Sequence, residues 1–289
     1  MSASPRVLVL GGRTGLLGQA LVHALRQDGW DVVPTGRQDF EILDSEQLAA
    51  YVEDVAPEII FNTVAWTQVD LGEDRADDAF ALNAALPEAL GSVIKGTSTH
   101  LFHFSTDFVF DGRKGTPYTP ADPTAPLCVY GASKLAGEQA LIRLCPANTC
   151  IVRTAWLFGP GRRNFVQTIL DLAQERDHLQ IVADQVGSPT YTLDLAAWST
   201  SLACLRTTGV LHLANSGQAS WFELASRAVA LAGFDCKVTP IPSSSWPQKA
   251  TRPLYSVLDN GKFADSIGIK PRRWQDALQE YISEHYFRT

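Results

Sequence analysis

The first twenty-five residues constrain the fold most. Arg6-Val7-Leu8-Val9-Leu10 is a short apolar run. The glycine-rich Gly11-Gly12-Arg13-Thr14-Gly15-Leu16-Leu17-Gly18 follows, then the amphipathic Gln19-Ala20-Leu21-Val22-His23-Ala24-Leu25. This pattern reads as a buried strand, a tight turn and a helix. Gly12, Gly15 and Gly18 stand at Gly-x-x-Gly-x-x-Gly spacing. Gly12 and Gly15 let the backbone turn and approach a pyrophosphate, and Gly18 lets the helix pack closely. The helix N-terminus adds free N–H groups and a positive dipole. Glycine triplets often mark nothing more than a turn, and here the strand before and the helix after point to dinucleotide binding. No Gly-Lys-Ser/Thr follows, which argues against a P-loop nucleotidase.

The alternation continues along the chain. Asp31-Val32-Val33-Pro34-Thr35, Glu58-Ile59-Ile60-Phe61-Asn62, His100-Leu101-Phe102-His103-Phe104 and Thr149-Cys150-Ile151-Val152-Arg153 read as further strands, with helical stretches near 45–55, 74–95 and 130–144. Strands alternating with helices predict an α/β fold, a Rossmann-like doubly wound parallel sheet. Past residue 156 the rhythm loosens. Pro240-Ile241-Pro242-Ser243-Ser244-Ser245-Trp246-Pro247 reads as an ordered loop over a cleft, because Trp246 would be costly to leave in water.

A chain of 289 residues, 45% of them hydrophobic, can bury one large core or two modest ones. The formal charge of −7 argues against nucleic acid or a membrane surface as partner, since either would need a basic face. An anionic substrate would have to find a local basic pocket. Val7 to Leu10 is too short for a signal-peptide core, and nothing approaches the ~20 apolar residues of a membrane span. Five cysteines lie scattered without CxxC spacing, as expected of reduced thiols in a cytoplasmic protein. His100 and His103 read as packing or surface residues, and no metal site is expected.

Tyr130 and Lys134 lie one helical turn apart, which puts phenol and ammonium on one face. A nearby cation lowers a phenol's proton affinity, and such a phenol can hand a proton to a carbonyl oxygen. Surface helices carry Tyr-x-x-x-Lys by chance, but here Ser105-Thr106-Asp107 ends a strand upstream and adds a hydroxyl. Thr106, Tyr130 and Lys134 form the Ser/Thr-Tyr-Lys set of the short-chain dehydrogenases. The chain resembles the extended branch of that family and, within it, the dTDP-4-dehydrorhamnose reductases. The segments carrying the closer resemblance are Ser105-Thr106-Asp107, Tyr130-Gly131-Ala132-Ser133-Lys134, Arg153-Thr154-Ala155-Trp156, Asp184-Gln185-Val186-Gly187-Ser188-Pro189-Thr190, Arg252-Pro253 and Ser256-Val257-Leu258-Asp259. They span nearly the whole chain.

The resemblance implies roles residue by residue. Tyr130 would be the general acid. Lys134 would lower the phenol's pKa and bond the nicotinamide ribose. Thr106 would bond the ketone oxygen, stabilising the charge that grows there during hydride transfer. Asp107 and Trp156 would touch the sugar, and Arg252, with Lys249, would meet the diphosphate. Gly12, Thr14, Gly15, Leu16, Leu17 and Gly18 would cradle the pyrophosphate. Ala65, Trp66 and Thr67 would line the nicotinamide half, and Glu41 and Ile42 would sit beside adenine. Arg37, following the second strand, favours the 2′-phosphate of NADPH, with NADH use left open.

The implied reaction is reduction of the C4 ketone of dTDP-4-dehydro-β-L-rhamnose. Alternatives are a sister reductase of another nucleotide-linked 4-keto-6-deoxyhexose, or a non-catalytic NADP-binding regulatory subunit like that of methionine adenosyltransferase. A 4,6-dehydratase is disfavoured, because those relatives place Asp-Glu after the threonine. Phe108, Leu71, Trp66 and Glu41 depart from the group's usual residues, near the sugar and the cofactor rather than in the catalytic set. The expected division gives residues 1–153, plus a return segment near 190–215, to an NADP-binding Rossmann domain. Residues 154–189 and 216–289 would form a smaller, discontinuous substrate domain. An amphipathic helix face reads equally as core or as dimer interface, so a homodimer stays open.

Overall fold

The computed structural model describes residues 4–287. Its centre is a six-stranded sheet. Five strands are β1 (Arg6–Leu10), β2 (Asp31–Pro34), β3 (Ile59–Asn62), β4 (His100–Thr106) and β5 (Thr149–Thr154), and the sixth is Gly209–His212. The spatial order is Gly209–His212, β5, β4, β3, β1, β2, and every neighbouring pair is parallel. Parallel strands need helices on both faces, which is why β1 is apolar and buried from Val7 to Leu10 instead of alternating. Val7 and Val9 pack with Leu21, Leu25 and Trp198 on one face; Leu8 and Leu10 pack with Leu48, Leu90 and Leu141 on the other. The doubly wound expectation holds.

The chain leaves β1 for the β2 edge and then passes back over β1 to β3. In such sheets the crevice for a ligand opens where the winding reverses, at the carboxyl ends of these strands. Helix α1 (Leu16–Gln27) begins at that end of β1. Helix Thr192–Cys204 packs Leu195, Ala196 and Leu202 against the α1 face of the sheet, and Gly209–His212 extends the sheet beyond β5.

A second core gathers Phe158, Val166, Leu170, Tyr191, Leu224, Trp274 and Leu278 around helices Phe165–Glu175, Trp221–Ala232 and Trp274–Tyr281. Trp221–Ala232 starts with a reciprocal capping box between Ser220 and Glu223 and stops at Gly233 in the left-handed conformation.

Three expectations change. The single helix near 74–95 is broken: Ala76–Phe80 and Leu86–Ile94 are joined by a π-helical turn, Ala81–Ala85. β4 takes in Ser105 and Thr106 but stops before Asp107, which opens a 3₁₀ turn, Asp107–Val109. Trp246 is 53% exposed, so the 240–247 loop forms without burying its indole.

Helix Val129–Leu144 is held to the sheet by a buried ion pair. Arg153 of β5 donates from Nη2 to Glu138 Oε2 at 2.6 Å and from Nε to Oε1 at 3.0 Å, and Ser105 of β4 donates to the same carboxylate. Breaking such a pair on one side leaves an uncompensated buried charge. Glu138→Gln is expected to lower folding stability by about 3 kcal/mol, read from urea denaturation. A loss below about 1 kcal/mol would mean that the pair contributes little to holding the helix.

Candidate active site

Tyr130 and Lys134 occupy the first two turns of Val129–Leu144. The helix starts where it does because Glu73 accepts the Val129 N–H at 2.9 Å, and because Gly131 lets the backbone lie against Phe108. A Cβ at residue 131 would stand 2.2 Å from the Phe108 carbonyl oxygen. The ring of Phe108 meets Tyr130 edge-on, centroids 5.4 Å apart. Gly137 presses equally close to the Asn83 carbonyl in the π-helical turn. The Asn83 side chain accepts the Trp66 N–H at 2.9 Å, and its Nδ2 donates to the Trp66 carbonyl at 3.1 Å and to Ser133 Oγ at 3.0 Å. One buried amide thus ties the segment after β3 to the helix of Tyr130.

Lys134 is buried and donates from Nζ to the Phe104 carbonyl at 2.6 Å, with His103 Nε2 at 3.4 Å. Burial lowers its pKa to about 8, against an upward pull from Glu138. The Tyr130 phenol goes the other way, pushed up to about 12 by burial, with the Thr106 hydroxyl opposing the rise. The expectation was a phenol lowered by the lysine. Here the lysine's bond goes to the β4 backbone, and desolvation decides the phenol's value. At neutral pH the phenol therefore keeps its proton, the form that a general acid needs.

Thr106 ends β4 beside this pair. Its Oγ1 donates to Asp107 Oδ1 at 3.1 Å and accepts the Phe108 N–H at 3.2 Å, while Ser256 donates to Asp107 Oδ2 at 2.5 Å. Asp107 is buried, which raises its pKa to about 6 against the pull of Ser256 and Thr106. Its carboxylate is braced between Thr106 and Ser256.

At the cofactor end, the left-handed residue of the turn is Gly11, at φ 80°, one position before the triplet. Gly15 caps α1, and Gly18 passes so close to Gly11 that a Cβ would stand 2.4 Å from its carbonyl oxygen. The first N–H groups of α1, on Leu16, Leu17 and Gly18, have no partner within the helix. The Leu17 side chain itself is core, and Thr14 is exposed. Arg37 is exposed beyond the end of β2. Asp39, two residues on, is taken by the Arg13 guanidinium through two bonds of 2.9 Å. Glu41 is exposed and Ile42 packs against the core under α2 (Ser45–Val55). Ala65 and Trp66 are half-buried, Thr67 is exposed, and the Arg75 guanidinium lies 5.3 Å from the Trp66 ring centroid.

At the sugar end, Trp156 adopts φ 48°, unusual for a bulky residue. Its indole stacks on Trp221 at 3.5 Å and 5°, and a Cβ on Gly187 would run into it. Arg252 grips Asp70 through Nη1 at 2.9 Å and Nη2 at 2.7 Å, holding that carboxylate at about 2. The backbone N–H groups of Lys249 and Ala250 donate to Asp70 as well, and Lys249 Nζ pairs with Asp74. Both basic residues expected at the diphosphate are thus engaged by acids. A cavity of about 280 Å³ opens beside them between Phe165, Gln185, Trp221, Trp246 and Arg252. A larger hollow of about 790 Å³, near Thr119 and Lys262, holds none of the expected site residues.

The sequence signature of the family described as RmlD substrate binding domain matches residues 5–287. The chain belongs to this family. It is 38% identical to a dTDP-4-dehydrorhamnose reductase of Streptomyces griseus, over 96% of this chain and 92% of that protein. It is also 38% identical to the spore coat polysaccharide biosynthesis protein SpsK of Bacillus subtilis (strain 168), over 96% and 97% of the two chains. Among solved structures, a dTDP-4-dehydrorhamnose reductase of Bacillus anthracis in complex with NADP superposes with a TM-score of 0.94, at 32% identity, covering 98% of this chain and all of the other.

Within this RmlD-family chain, the sequence pattern gives no role to Gly11, Arg13, Asn83, Trp221 or Ser256, although Ser256 stands in one of the segments that carry the resemblance. Gly11 stood in plain sight beside the triplet; the other four act through contacts distant in sequence. Among the described residues no group of His, Cys, Asp or Glu is placed to hold a metal, and no helix is long and apolar enough to cross a membrane.

Because burial raises Asp107, the folded protein holds that proton more tightly than the unfolded chain does. The resulting stability is fully present below about pH 4 and is lost as pH rises through about 6. Asp107→Asn lacks this dependence. It is expected to gain on the wild type by about 2 kcal/mol between about pH 4 and pH 7, measured by urea denaturation of both proteins. A difference constant across that window would rule the effect out.

Proposed function

We propose that this chain is an NADPH-dependent reductase that converts the C4 ketone of dTDP-4-dehydro-β-L-rhamnose to dTDP-β-L-rhamnose, a nucleotide-sugar precursor of polysaccharide. The observation that carries this reading is the meeting of the Thr106 and Tyr130 hydroxyls, one turn of helix from a buried Lys134, at the strand ends that also carry the glycine turn. The named reductases that the chain resembles, one of them in complex with NADP, support the same reading.

The residues present suit such a cofactor. Gly11, Gly15 and Gly18 let the turn and the start of α1 close against one another, and the first three N–H groups of α1 have no partner within the helix. Arg37, with Arg13 nearby, offers positive charge for a 2′-phosphate, while Asp39 is occupied by Arg13 instead of standing free for a ribose hydroxyl. The nicotinamide, when bound, supplies the hydride. Tyr130 holds its proton until negative charge develops on the C4 oxygen and then donates it, while Thr106 offers that oxygen a second hydrogen bond. Lys134 bonds the ribose and keeps positive charge beside the phenol. The Trp156 indole forms a wall against the apolar face of the 6-deoxy sugar, and Arg252, exchanging Asp70 for the substrate, meets the diphosphate.

Residues 1–153 with about 190–215 then form the cofactor half, and about 154–189 with 216–289 the sugar-nucleotide half. The soluble nucleotide-sugar substrate and the unpaired cysteines support a cytoplasmic location. One feature favours a second reading, a sister 4-keto-6-deoxyhexose reductase: Phe108 brings no hydroxyl to the site beside Tyr130.

Tyr130→Phe is expected to lose about 10²–10⁴ of turnover while NADPH still binds. NADPH oxidation with enzymatically generated dTDP-4-dehydrorhamnose reads the first effect and fluorescence titration the second. Full activity in that variant would overturn the assignment, and turnover only with another keto-sugar would favour the sister reductase. Arg37→Ala is expected to raise the KM for NADPH about tenfold, a contact of roughly 1.4 kcal/mol, and to leave that for NADH unchanged. Equal effects on both cofactors would remove Arg37 from the 2′-phosphate.

A further inference from the structure

Behind Lys134 lies a buried titratable group to which the reduction described above gives no role. His103 of β4 has no exposed surface, and its imidazole bridges two elements. Nδ1 lies 3.1 Å from Nδ2 of Asn62 on β3, and Nε2 lies 3.4 Å from Nζ of Lys134. The orientation of the Asn62 amide is fixed from outside the imidazole. Its Oδ1 accepts the backbone N–H of Val64 at 3.1 Å, and a backbone N–H can only donate. Nδ2 is therefore the group facing His103, and it donates to Nδ1. A neutral imidazole whose Nδ1 accepts carries its proton on Nε2. That N–H points at Lys134. An ammonium has no lone pair to receive it, whereas an uncharged amine does, and either form can still donate to the Phe104 carbonyl.

We propose that His103, locked by Asn62 as the Nε2–H tautomer, is a positioning residue that favours the uncharged amine of Lys134 and so sets the pH above which the site loses its cation. The imidazole is itself neutral at working pH, since burial and the neighbouring lysine hold it well below its ordinary value. The other ionisable neighbours do not do this work. Glu138, on the same helix, pulls Lys134 toward the charged form and is itself held by Arg153 of β5 and Ser105 of β4. Tyr130 stands on the same helix and meets the Thr106 hydroxyl, and Asp107, just past β4, is engaged by Thr106 and Ser256.

The effect on catalysis rests on the reductase reading, but the two deciding measurements do not. Heteronuclear NMR of the imidazole nitrogens in the wild-type protein is expected to show a protonated Nε2 and a bare Nδ1. The opposite tautomer would overturn the proposal, and this test needs no variant. The ε-carbon resonance of Lys134 is then titrated in the wild type and in His103→Gln, where a side-chain carbonyl can accept from the ammonium. The midpoint is expected to rise by about one pH unit or more; an unmoved or lower midpoint in a folded variant overturns the proposal. With keto-sugar and NADPH, the alkaline limb of kcat/KM should move up by the same amount, and a limb that stays put while the lysine titration moves would remove the catalytic part. Absence of any turnover in the wild type would count against the reductase reading alone, leaving the two titrations to decide the role of His103.

Discussion

Placement of the site depends on the buried pair between Glu138 and Arg153. The helix that carries Tyr130 and Lys134 has a weak apolar face, and glycines at 131 and 137 bring it within backbone contact of its neighbours. Dispersion alone would let such a helix slide. A carboxylate gripped by β5 and by Ser105 of β4 fixes both its rotation and its height above the sheet. Ser105 precedes Thr106, so one network sets the strand that ends in the hydroxyl and the helix that begins with the phenol. Buried ion pairs are poor sources of net stability, and this one is better understood as fixing a unique arrangement.

The fold was legible because its information is local. Apolar runs such as Val7 to Leu10 and Ile59 to Phe61 announce strands covered on both faces, and α2 begins and ends as its pattern predicts, with Asp44 capping it. The placement of Tyr130 and Lys134 on one helix was legible for the same reason, since a four-residue spacing on a helix is geometry written in sequence. What stayed hidden lies in long-range contacts. The π-helical turn at Ala81–Ala85 has no pattern of its own; it exists in company with an Asn83 side chain that reaches Trp66 and Ser133. His103 looked like packing, and only the fold reveals that its ring nitrogens meet Asn62 and Lys134. Trp246 failed for another reason: a transfer argument gives the cost of exposing an indole but not whether the chain bears that cost.

Charge follows a similar rule. The chain is acidic overall, and three basic residues toward the surface of the cleft are each paired with an acid: Arg252 with Asp70, Lys249 with Asp74, Arg13 with Asp39. Of the residues expected to meet phosphate, Arg37 and Lys249 are both exposed, and Lys249 is paired with Asp74. An anion entering beside Arg252 is met by an existing carboxylate, so its gain is the difference between two contacts, not the whole of one.

Trp156 and Gly187 are coupled in a way that bears on how such a pocket diversifies. The indole fits because residue 187 has no side chain, and it is aimed there by a left-handed backbone that costs a tryptophan about 1 kcal/mol. Alanine at 156 would remove the ring and keep the strained backbone. Any larger residue at 187 would evict the ring from its stack on Trp221. A larger residue at 187 is therefore admitted only once the ring at 156 has gone, so the two positions can be changed one at a time in that order and not in the reverse.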